Sequence, residues 1–260
     1  MLFSFVIPTY NRSSKVIRAI DSIINQPGWA NSSEIIVVND GSTDDTEDKL
    51  QPYLDKKQIC LIRHVTNQGV ATAKNTGILN AKNKYVVLLD SDDLLAKSGL
   101  NHLKNLILQN DYDLVFCGTR VLNSNRLMYD VDFKGVKTYH ELLKTAVGEY
   151  LPIAKTSVIQ KNLLHNLRGY ESITWLGLAK QGYQVYFDNE PIRLYDDGGE
   201  DRLSYRFNGL KNAVKMRDGY AFYLKEFGID LKSLNFSAYF KLNVKLLCYF
   251  IMSLRPFRFK

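Results

Sequence analysis

The sequence has few cysteines, and none of them stands in a metal-binding or redox pattern. Its three cysteines, Cys60, Cys117 and Cys248, are widely spaced, and no C-x-x-C pair occurs. Zinc ribbons and thioredoxin-like redox centres are therefore not indicated. Buried free thiols in a reducing compartment are the expected state, which favours a cytoplasmic location.

The chain also lacks the two glycine-rich signatures that commonly hold phosphates. Neither G-x-G-x-x-G nor G-x-x-x-x-G-K-S/T is present, so neither a Rossmann dinucleotide site nor a P-loop is predicted. A secretory leader is not expected either, because the apolar run over residues 1–10 is short and has no basic residues before it. Any phosphate must be held by another arrangement.

What is present is the composition of an ordinary soluble protein with an excess of basic residues. The 260 residues are 45% hydrophobic and 23% charged, and a chain of this length can bury a substantial core. The net charge of +7 favours anionic partners such as phosphates, nucleic acid or acidic lipid, without choosing among them. Nucleic-acid binding is not predicted, because the sequence has no basic-aromatic repeat.

Short apolar runs alternate with segments of helical periodicity in the first half of the chain. Strands are predicted at residues 2–7, 34–38, 59–62, 85–89 and 113–116, and helices at 13–25, 44–54, 70–80 and 94–109. This alternation predicts an α/β fold with a mostly parallel sheet and helices on both faces. Such sheets bind ligands at the carboxyl ends of their strands.

Three carboxylates directly follow the fourth predicted strand. The apolar run 85–89 leads into Asp90, Ser91, Asp92 and Asp93. Acids buried without partners there would be costly, and a bound cation would relieve that cost; hard oxygen ligands suit Mg²⁺ or Mn²⁺. Alternatively, Asp92 or Asp93 caps the following helix and the other acids are solvated. This segment alone leaves both interpretations open.

Polar residues also follow the first and second predicted strands. Residues 8–12 read Pro-Thr-Tyr-Asn-Arg, and residues 39–42 read Asn-Asp-Gly-Ser. Each segment by itself could be simple turn chemistry, for which these residue types are favoured. Together with the acidic cluster, they indicate a polar site at one edge of the sheet.

Four ordered segments in the first half of the chain form a set. They are Val-Ile-Pro-Thr-Tyr-Asn-Arg at 6–12, the run ending Val-Val-Asn-Asp-Gly-Ser-Thr-Asp at 34–44, Asn-Gln-Gly-Val-Ala-Thr-Ala-Lys-Asn-Thr-Gly at 67–77, and Leu-Leu-Asp-Ser-Asp-Asp at 88–93. Together they resemble the inverting glycosyltransferases of family 2, which have the nucleotide-sugar-binding GT-A fold. The resemblance covers most of the first half. It implies a nucleotide-sugar donor, expected to be a UDP-sugar, and a divalent cation, Mn²⁺ or Mg²⁺.

The resemblance also implies roles for individual residues. Asp40 would accept a hydrogen bond from a uracil N3–H, and Asp90-Ser91-Asp92 would form the D-x-D motif, with Asp92 and Asp90 as metal ligands. Lys74 stands where the family usually has arginine. The nucleotide-sugar-binding residues implied in this part of the chain are Pro8, Thr9, Tyr10, Arg12, Asp40, Lys74, Asp90 and Ser91.

The second half offers a general base and a loop. The run 175–183 resembles the family's Trp-Leu helix, and counting back from it places Glu171 where the family has a Glu-Asp pair. Glu171 would remove the acceptor hydroxyl proton, or it is simply a charge at a helix start. The loop 196–204 contains two glycines. It could close so that Arg202 pairs with the diphosphate, or it is an ordinary solvated loop.

We predict a GT-A catalytic domain over residues 1–205, followed by a basic and aromatic helical segment over 206–260. Within the domain, residues 1–119 would bind the nucleotide sugar and residues 120–205 the acceptor. Helices are predicted at 207–227 and 236–254, and Lys241 and Lys245 interrupt the second. It therefore fits an amphipathic helix on an anionic membrane surface, or one packed on the catalytic domain, better than a membrane span.

These features together predict a metal-dependent, inverting glycosyltransferase in the cytoplasm, peripheral at the inner face of the plasma membrane. The resemblance suggests transfer to a hydroxyl of a lipid-linked glycan during bacterial surface polysaccharide assembly. One alternative is a polyprenyl-phosphate sugar synthase, whose lipid phosphate acceptor needs no base. Another is a non-catalytic module that binds membranes or nucleic acid.

Overall fold

The computed structural model describes residues 1–124, 126–145, 147–167, 171–198 and 212–254. The chain forms two compact units, each assembled from separate stretches of sequence. Unit 1 comprises Met1–Thr138, Val147–Leu164 and Tyr183–Asp197. Unit 2 comprises the described residues within 139–146, 165–182 and 198–260. The predicted boundary after residue 205 lies outside the described residues, so that division stays a prediction.

The described part of unit 1 is built on a nine-stranded sheet. Its strands are β1 (Phe3–Thr9), β2 (Ser33–Asn39), β3 (Cys60–Arg63), β4 (Tyr85–Leu88), β5 (Leu94–Leu95), β6 (Leu114–Val121), β7 (Gly135–Lys137), β8 (Tyr150–Lys155) and β9 (Val185–Tyr195). Their order is β3-β2-β1-β4-β8-β6-β9-β5, with β7 also paired to β9. The predicted division between residues 119 and 120 falls inside β6.

The first part of the sheet is parallel and the rest is mixed. β1 pairs in parallel with β2 and β4, and β2 pairs in parallel with β3. β8 runs antiparallel to both β4 and β6, while β9 is parallel to β6. The predicted α/β fold is confirmed. The carboxyl ends of β1, β2 and β4 lie at the same edge, because these strands are parallel neighbours.

Helices flank the strands in the order that the sequence predicts. In chain order they are α1 (Ser13–Ile24), α2 (Trp29–Ser32), α3 (Thr46–Asp55), α4 (Val70–Asn80), α5 (Gly99–Gln109), α6 (Tyr139–Lys144), α7 (Thr156–Ile159), α8 (Glu171–Lys180), α9 (Ala213–Leu234) and α10 (Phe236–Ser253). All residues of β1 and β4 are buried. α1 and α5 contribute Ile20 and Leu103 to the same core. Burial on both faces explains why these strands read as continuous apolar runs.

The helix predicted to begin at residue 94 begins instead at Gly99. Leu94 and Leu95 form β5, which pairs with Leu194 and Arg193 of β9, and Ser98 is the N-cap of α5. The interpretation of Asp92 or Asp93 as a cap of this helix is therefore wrong. The helical periodicity extends upstream of Gly99 because Leu94 and Leu95, which pair in the sheet, also fit a helical spacing.

The thiols also differ from expectation. Cys117 lies in β6 and is buried, whereas Cys60 and Cys248 are exposed. Cys60 begins β3, which is an end strand of the sheet, and Cys248 lies on α10, in which no residue is buried. The expectation of buried free thiols is therefore right only for Cys117.

Unit 2, as far as it is described, consists of helices. Asp230 on α9 accepts a hydrogen bond from the Tyr139 hydroxyl at 2.7 Å and pairs with Lys180 Nζ at 2.9 Å. These contacts join α6, α8 and α9. The described helices include none that is both long and apolar enough to cross a membrane.

Gly77 allows α4 to approach β1 closely. A Cβ atom at this position would overlap the Cγ1 atom of Val6, which is fully buried. Gly177 on α8 has no neighbouring atom within 4 Å of a Cβ built in the same way. The two helical glycines therefore differ in whether space for a methyl group exists.

We expect Gly77→Ala to lower the free energy of unfolding by about 1–3 kcal/mol, because the added methyl group overpacks the contact with Val6. Gly177→Ala is the matched control and should leave stability unchanged or raise it by up to about 1 kcal/mol, since alanine favours helix. Urea denaturation measures both variants. Equal stabilities of the two variants would contradict the close approach of α4 to β1.

Candidate active site

Each of the three carboxylates that follow β4 has a basic partner. The pairs are Asp90 Oδ1 with Lys74 Nζ at 2.8 Å, Asp92 Oδ2 with Arg12 Nη1 at 2.7 Å, and Asp93 Oδ2 with Arg193 Nε at 2.6 Å. We call these six residues the charge cluster. Its bases come from α4, from the loop before α1, and from β9. Three separate parts of unit 1 therefore meet at the carboxyl end of β4, and the cluster is balanced in formal charge.

The Asp93–Arg193 pair is the buried part of the charge cluster. Both residues are buried, and Arg193 Nη1 also donates to the Tyr150 carbonyl at 2.9 Å. Burial raises the pKa of Asp93 to about 7; the Arg193 charge opposes this shift, and the charges of Asp90 and Asp92 add to it. Asp93 thus has a structural partner in β9 and is not a helix cap.

Asp90 and Asp92 are more accessible than Asp93. Their side chains are 37% and 16% exposed, against 1% for Asp93. Burial acts to raise the pKa of Asp90, but the nearby charges of Lys74 and Arg193 give a net lowering. Asp92 has a raised pKa, because burial and the negative charge of Asp90 outweigh the attraction of Arg12.

Asp90 and Asp92 fit a hard divalent cation. Both offer carboxylate oxygens, the ligand type that Mg²⁺ and Mn²⁺ prefer. The raised pKa of Asp92, caused first by burial and then by the negative charge of Asp90, marks a carboxylate whose ionised form a nearby cation would stabilise. Asp93 fits such a role less well, because it is sealed against Arg193.

Asp40, after β2, is fixed by three hydrogen bonds. Its Oδ1 accepts from the Gln68 backbone N–H at 3.0 Å and lies 2.7 Å from His64 Nδ1, while Oδ2 accepts from the Gly69 N–H at 2.8 Å. The Asp40 N–H in turn donates to the Thr9 carbonyl at 2.8 Å. Asp40 therefore joins the ends of β1 and β2, through its backbone, to the loop before α4, through its side chain.

The loops after β1 and β2 are also tied to each other. The Asn11 N–H donates to Ser42 Oγ at 2.9 Å, and Asn11 Oδ1 accepts from the Thr43 N–H at 2.8 Å. Gly41 has a φ of +76°, and a Cβ there would lie 2.7 Å from the Thr66 backbone carbon. Glycine is required at this point because the turn is left-handed and the two backbones touch.

The other residues predicted from the first half surround this edge. Pro8 and Thr9 end β1 and are buried, Ser91 is buried beside the acids, and Tyr10 is exposed. Thr9 Oγ1 is buried and has no hydrogen-bond partner among the described residues. A ligand at the end of β1 could satisfy this hydroxyl. Nucleotide contacts by these residues stay predictions.

Two site residues were predicted from the second half of the chain, Glu171 and Arg202. Glu171 is the first residue of α8, in unit 2, so the helix-start interpretation also stays open for it. Arg202 lies outside the described residues, and so do all of residues 199–204 of the predicted loop. The roles of Glu171 and Arg202 stay predictions.

Two residues of this site were missed in the sequence. His64 is half-buried against Asp40, and its Nε2 lies 2.9 Å from Thr76 Oγ1. No local pattern signals this contact, because His64 and Asp40 lie 24 residues apart. Arg193 did carry a signal, since it is a charged residue inside the otherwise apolar run 192–195.

A second group of polar side chains comes from α5, β6 and β9. One ligand-type atom each from His102, Cys117 and Asp188 falls within 4.8 Å of the others. His102 Nε2 is 2.7 Å from Asp188 Oδ2, and this hydrogen bond raises the pKa of His102. The group shares no residue with the charge cluster, and the His102–Asp188 contact is sufficient to account for it.

Comparison with known proteins decides the family. Residues 4–165 match the model of Glycosyl transferase family 2. The chain belongs to this family. The predicted resemblance is confirmed, and the family 2 enzyme described here is a glycosyltransferase.

Curated relatives agree with this assignment. The chain is 30% identical over 205 residues to TuaG of Bacillus subtilis, which is named as a teichuronic acid biosynthesis glycosyltransferase; the match covers 75% of this chain and 78% of that protein. It is 28% identical over 228 residues to the GalNAc(5)-diNAcBac-PP-undecaprenol beta-1,3-glucosyltransferase of Campylobacter jejuni, covering 84% of this chain and 71% of that protein.

Solved structures confirm the GT-A fold. S. aureus TarS in complex with UDP-GlcNAc superposes with a TM-score of 0.71 at 19% identity, over 86% of this chain and 67% of that one. The mannosyltransferase PcManGT of Pyrobaculum calidifontis, in complex with GDP-Man and Mn²⁺, gives 0.65 at 18% identity, over 86% and 64%. At these identities the likeness concerns the fold alone.

We expect Arg193→Met to lower the free energy of unfolding by about 3–5 kcal/mol, because it leaves the Asp93 carboxylate buried without its partner. The double variant Asp93→Leu/Arg193→Met should recover most of this loss. Arg18→Met is the matched control: its pair with Asp196 is half-exposed, so the cost should stay below about 1 kcal/mol. Urea denaturation compares the three. Equal losses of unfolding free energy for Arg193→Met and Arg18→Met would contradict the conclusion that Arg193 is the buried partner of Asp93.

Proposed function

We propose that this glycosyltransferase moves a sugar from a UDP-sugar to a hydroxyl of a lipid-linked glycan, with inversion at the anomeric carbon. The observation that carries the proposal is the balanced charge cluster, with its two accessible acids at the carboxyl end of β4, beside the fixed Asp40. The shared family supports the reaction type. The UDP-GlcNAc complex of TarS supports the choice of donor.

The charge balance favours a donor that enters together with a cation. The diphosphate of a sugar nucleotide carries one negative charge on each phosphate, so a divalent cation and the diphosphate add no net charge to the cluster. Asp92 and Asp90 would hold the cation, and Arg12 and Lys74 stand beside them for the phosphates. When bound, the cation supplies positive charge that stabilises the leaving diphosphate.

Asp40 would read the base of the donor. Two backbone N–H groups and His64 hold its carboxylate in one orientation, and a fixed acceptor can select a ring N–H by geometry. The Oδ2 atom has a single described donor, the Gly69 N–H, which leaves acceptor capacity for a uracil N3–H. This position would favour uracil over bases without such a donor.

Glu171 would act as the general base. The acceptor hydroxyl oxygen forms a bond to the anomeric carbon as its proton passes to the Glu171 carboxylate. The bond from that carbon to the phosphate oxygen breaks, and its electron pair leaves with UDP. Attack opposite to the leaving group inverts the anomeric centre, so that an α-linked donor gives a β-linked product.

The acceptor is proposed from the relatives. The name of the Campylobacter jejuni enzyme describes a sugar acceptor on undecaprenyl diphosphate, and the name of TuaG describes teichuronic acid biosynthesis. A lipid-linked glycan in bacterial surface polysaccharide biosynthesis is consistent with both. The transfer reaction would take place in the cytoplasm, at the inner face of the plasma membrane.

A panel of nucleotide sugars tested for Mn²⁺-dependent hydrolysis identifies the donor, and two variants then test the roles. Asp92→Asn should abolish hydrolysis of that donor. Glu171→Gln should lower transfer to a glycan acceptor by about 100-fold or more, because proton removal is lost. Glu226→Gln, an exposed glutamate on α9, is the matched control and should transfer at the wild-type rate.

The outcomes separate the competing functions. Full transfer by Glu171→Gln to a polyprenyl phosphate would favour a polyprenyl-phosphate sugar synthase, whose acceptor needs no base. Nucleotide-sugar hydrolysis that does not change in Asp92→Asn would overturn the proposed use of the acidic cluster.

A further inference from the structure

One face of helix α10 is apolar and exposed. The helix contains no buried residue, although its other face packs on α9: the Tyr220 and Tyr249 rings stack with centroids 5.6 Å apart. The exposed face carries Phe236, Phe240, Val244, Leu247, Phe250, Ile251 and Leu254, each between 45% and 66% exposed. We call these seven residues the apolar stripe. Their spacing of three and four residues places them along one side of the helix.

The apolar stripe is larger than a scatter of surface hydrophobics. It extends over the whole length of α10, whereas single exposed apolar side chains are normal on any protein. A groove of roughly 450 Å³ between α9 and α10 continues it; the groove is lined by Arg217, Ala221, Asn243, Leu246, Leu247 and Phe250. Leu247 and Phe250 belong to both features, so the groove opens onto the stripe.

The charged side chains of α10 all have one sign. Residues 231–260 contain six basic residues and no aspartate or glutamate. Lys241 and Lys245 directly follow the stripe residues Phe240 and Val244 and are one helical turn apart, so both lie on the same side of the helix; Lys245 Nζ also lies 5.9 Å from the centroid of the Tyr220 ring. Both are exposed. An apolar surface bordered by lysines is complementary to a layer that is apolar inside and anionic at its surface.

Other occupants fit this face less well. A membrane span is disfavoured, since Lys241 and Lys245 would lie within the hydrocarbon region, and the described helices include none suited to a span. A second copy of α10 would bring lysines against lysines, and residues 231–260 offer no acid to pair with them. Like charges across an interface oppose association.

We propose that the apolar stripe docks α10 onto the surface of an anionic lipid bilayer. The helix lies in the plane of the interface, the stripe enters the boundary of the acyl chains, and Lys241 and Lys245 contact the lipid phosphates. The groove beside Leu247 accepts part of one hydrocarbon chain. The use of this surface rests on the proposed function, because a lipid-linked acceptor stays in the bilayer, but its affinity for lipid does not depend on catalysis.

Sedimentation of the full chain with vesicles tests the proposal. The wild type should bind vesicles that contain phosphatidylglycerol and bind vesicles of phosphatidylcholine alone at least about tenfold more weakly, with binding that falls as salt is raised. The triple variant Phe240→Ser/Leu247→Ser/Ile251→Ser should lose at least about tenfold in affinity, because three apolar side chains no longer enter the lipid. Lys241→Gln/Lys245→Gln should lose the preference for the anionic vesicles.

A matched control keeps this test specific. Leu79→Ser/Leu108→Ser/Ile229→Ser removes three other exposed apolar side chains, on α4, α5 and α9, and should bind vesicles like the wild type. Helical content measured by circular dichroism checks that all variants fold. Equal vesicle binding by the stripe and control variants would overturn the proposal, as would failure of the wild type to bind anionic vesicles.

Two further measurements, the oligomeric state and nucleotide-sugar hydrolysis, distinguish lipid docking from self-association and from failure of the proposed function. A dimer detected by sedimentation equilibrium that only the stripe variant abolishes would overturn lipid docking in favour of self-association. Absence of vesicle binding with intact nucleotide-sugar hydrolysis overturns the membrane surface alone. Vesicle binding without hydrolysis of any nucleotide sugar contradicts the proposed function alone.

Discussion

The pairing of three carboxylates with three basic side chains is the constraint on which the rest of the site depends. Acids at the end of a buried strand are costly unless opposite charges or a cation accompany them. Here the bases come from α4, from the loop before α1, and from β9. Neutralising the acids therefore requires that distant parts of unit 1 fold together. The same contacts leave Asp90 and Asp92 accessible and seal Asp93.

Backbone geometry supplies the second part of the site. Asp40 takes two of its hydrogen bonds from backbone N–H groups, so its position depends on the path of the chain more than on neighbouring side chains. Gly41 and Gly77 allow the close approaches that this path needs. A site built on strand ends and short braced loops is rigid before a ligand arrives, which lowers the cost of ordering on binding.

The sequence predicted those parts of the fold that are encoded locally. β1, β2 and α4 follow from apolar runs and helical spacing, and the acidic segment after β4 stands out because polar residues interrupt a buried run. The predicted start of α5 was wrong, because Leu94 and Leu95 fit the spacing of a helix as well as that of a short strand. Only their pairing with β9 decides between the two, and such a pairing is not visible in a local pattern.

The sequence also failed to reveal contacts between residues that lie far apart in the chain. The sequence identified Asp93 but not Arg193, which lies 100 residues away, and it identified Asp40 but not His64. In the C-terminal segment, periodicity and basic residues predicted an amphipathic helix. Which face is exposed depends on packing against α9, and the structure shows that one face of α10 packs while the apolar stripe stays exposed.

The central claim is that a balanced charge cluster accepts a nucleotide diphosphate together with a divalent cation. Calorimetric titration with UDP, once in Mn²⁺ and once in a chelator, tests it most directly. The account predicts that UDP binds at least about tenfold more tightly in Mn²⁺, a coupling free energy of roughly 1.4 kcal/mol or more, and that Asp92→Asn removes this difference. Equal UDP affinity in Mn²⁺ and in the chelator would contradict the account.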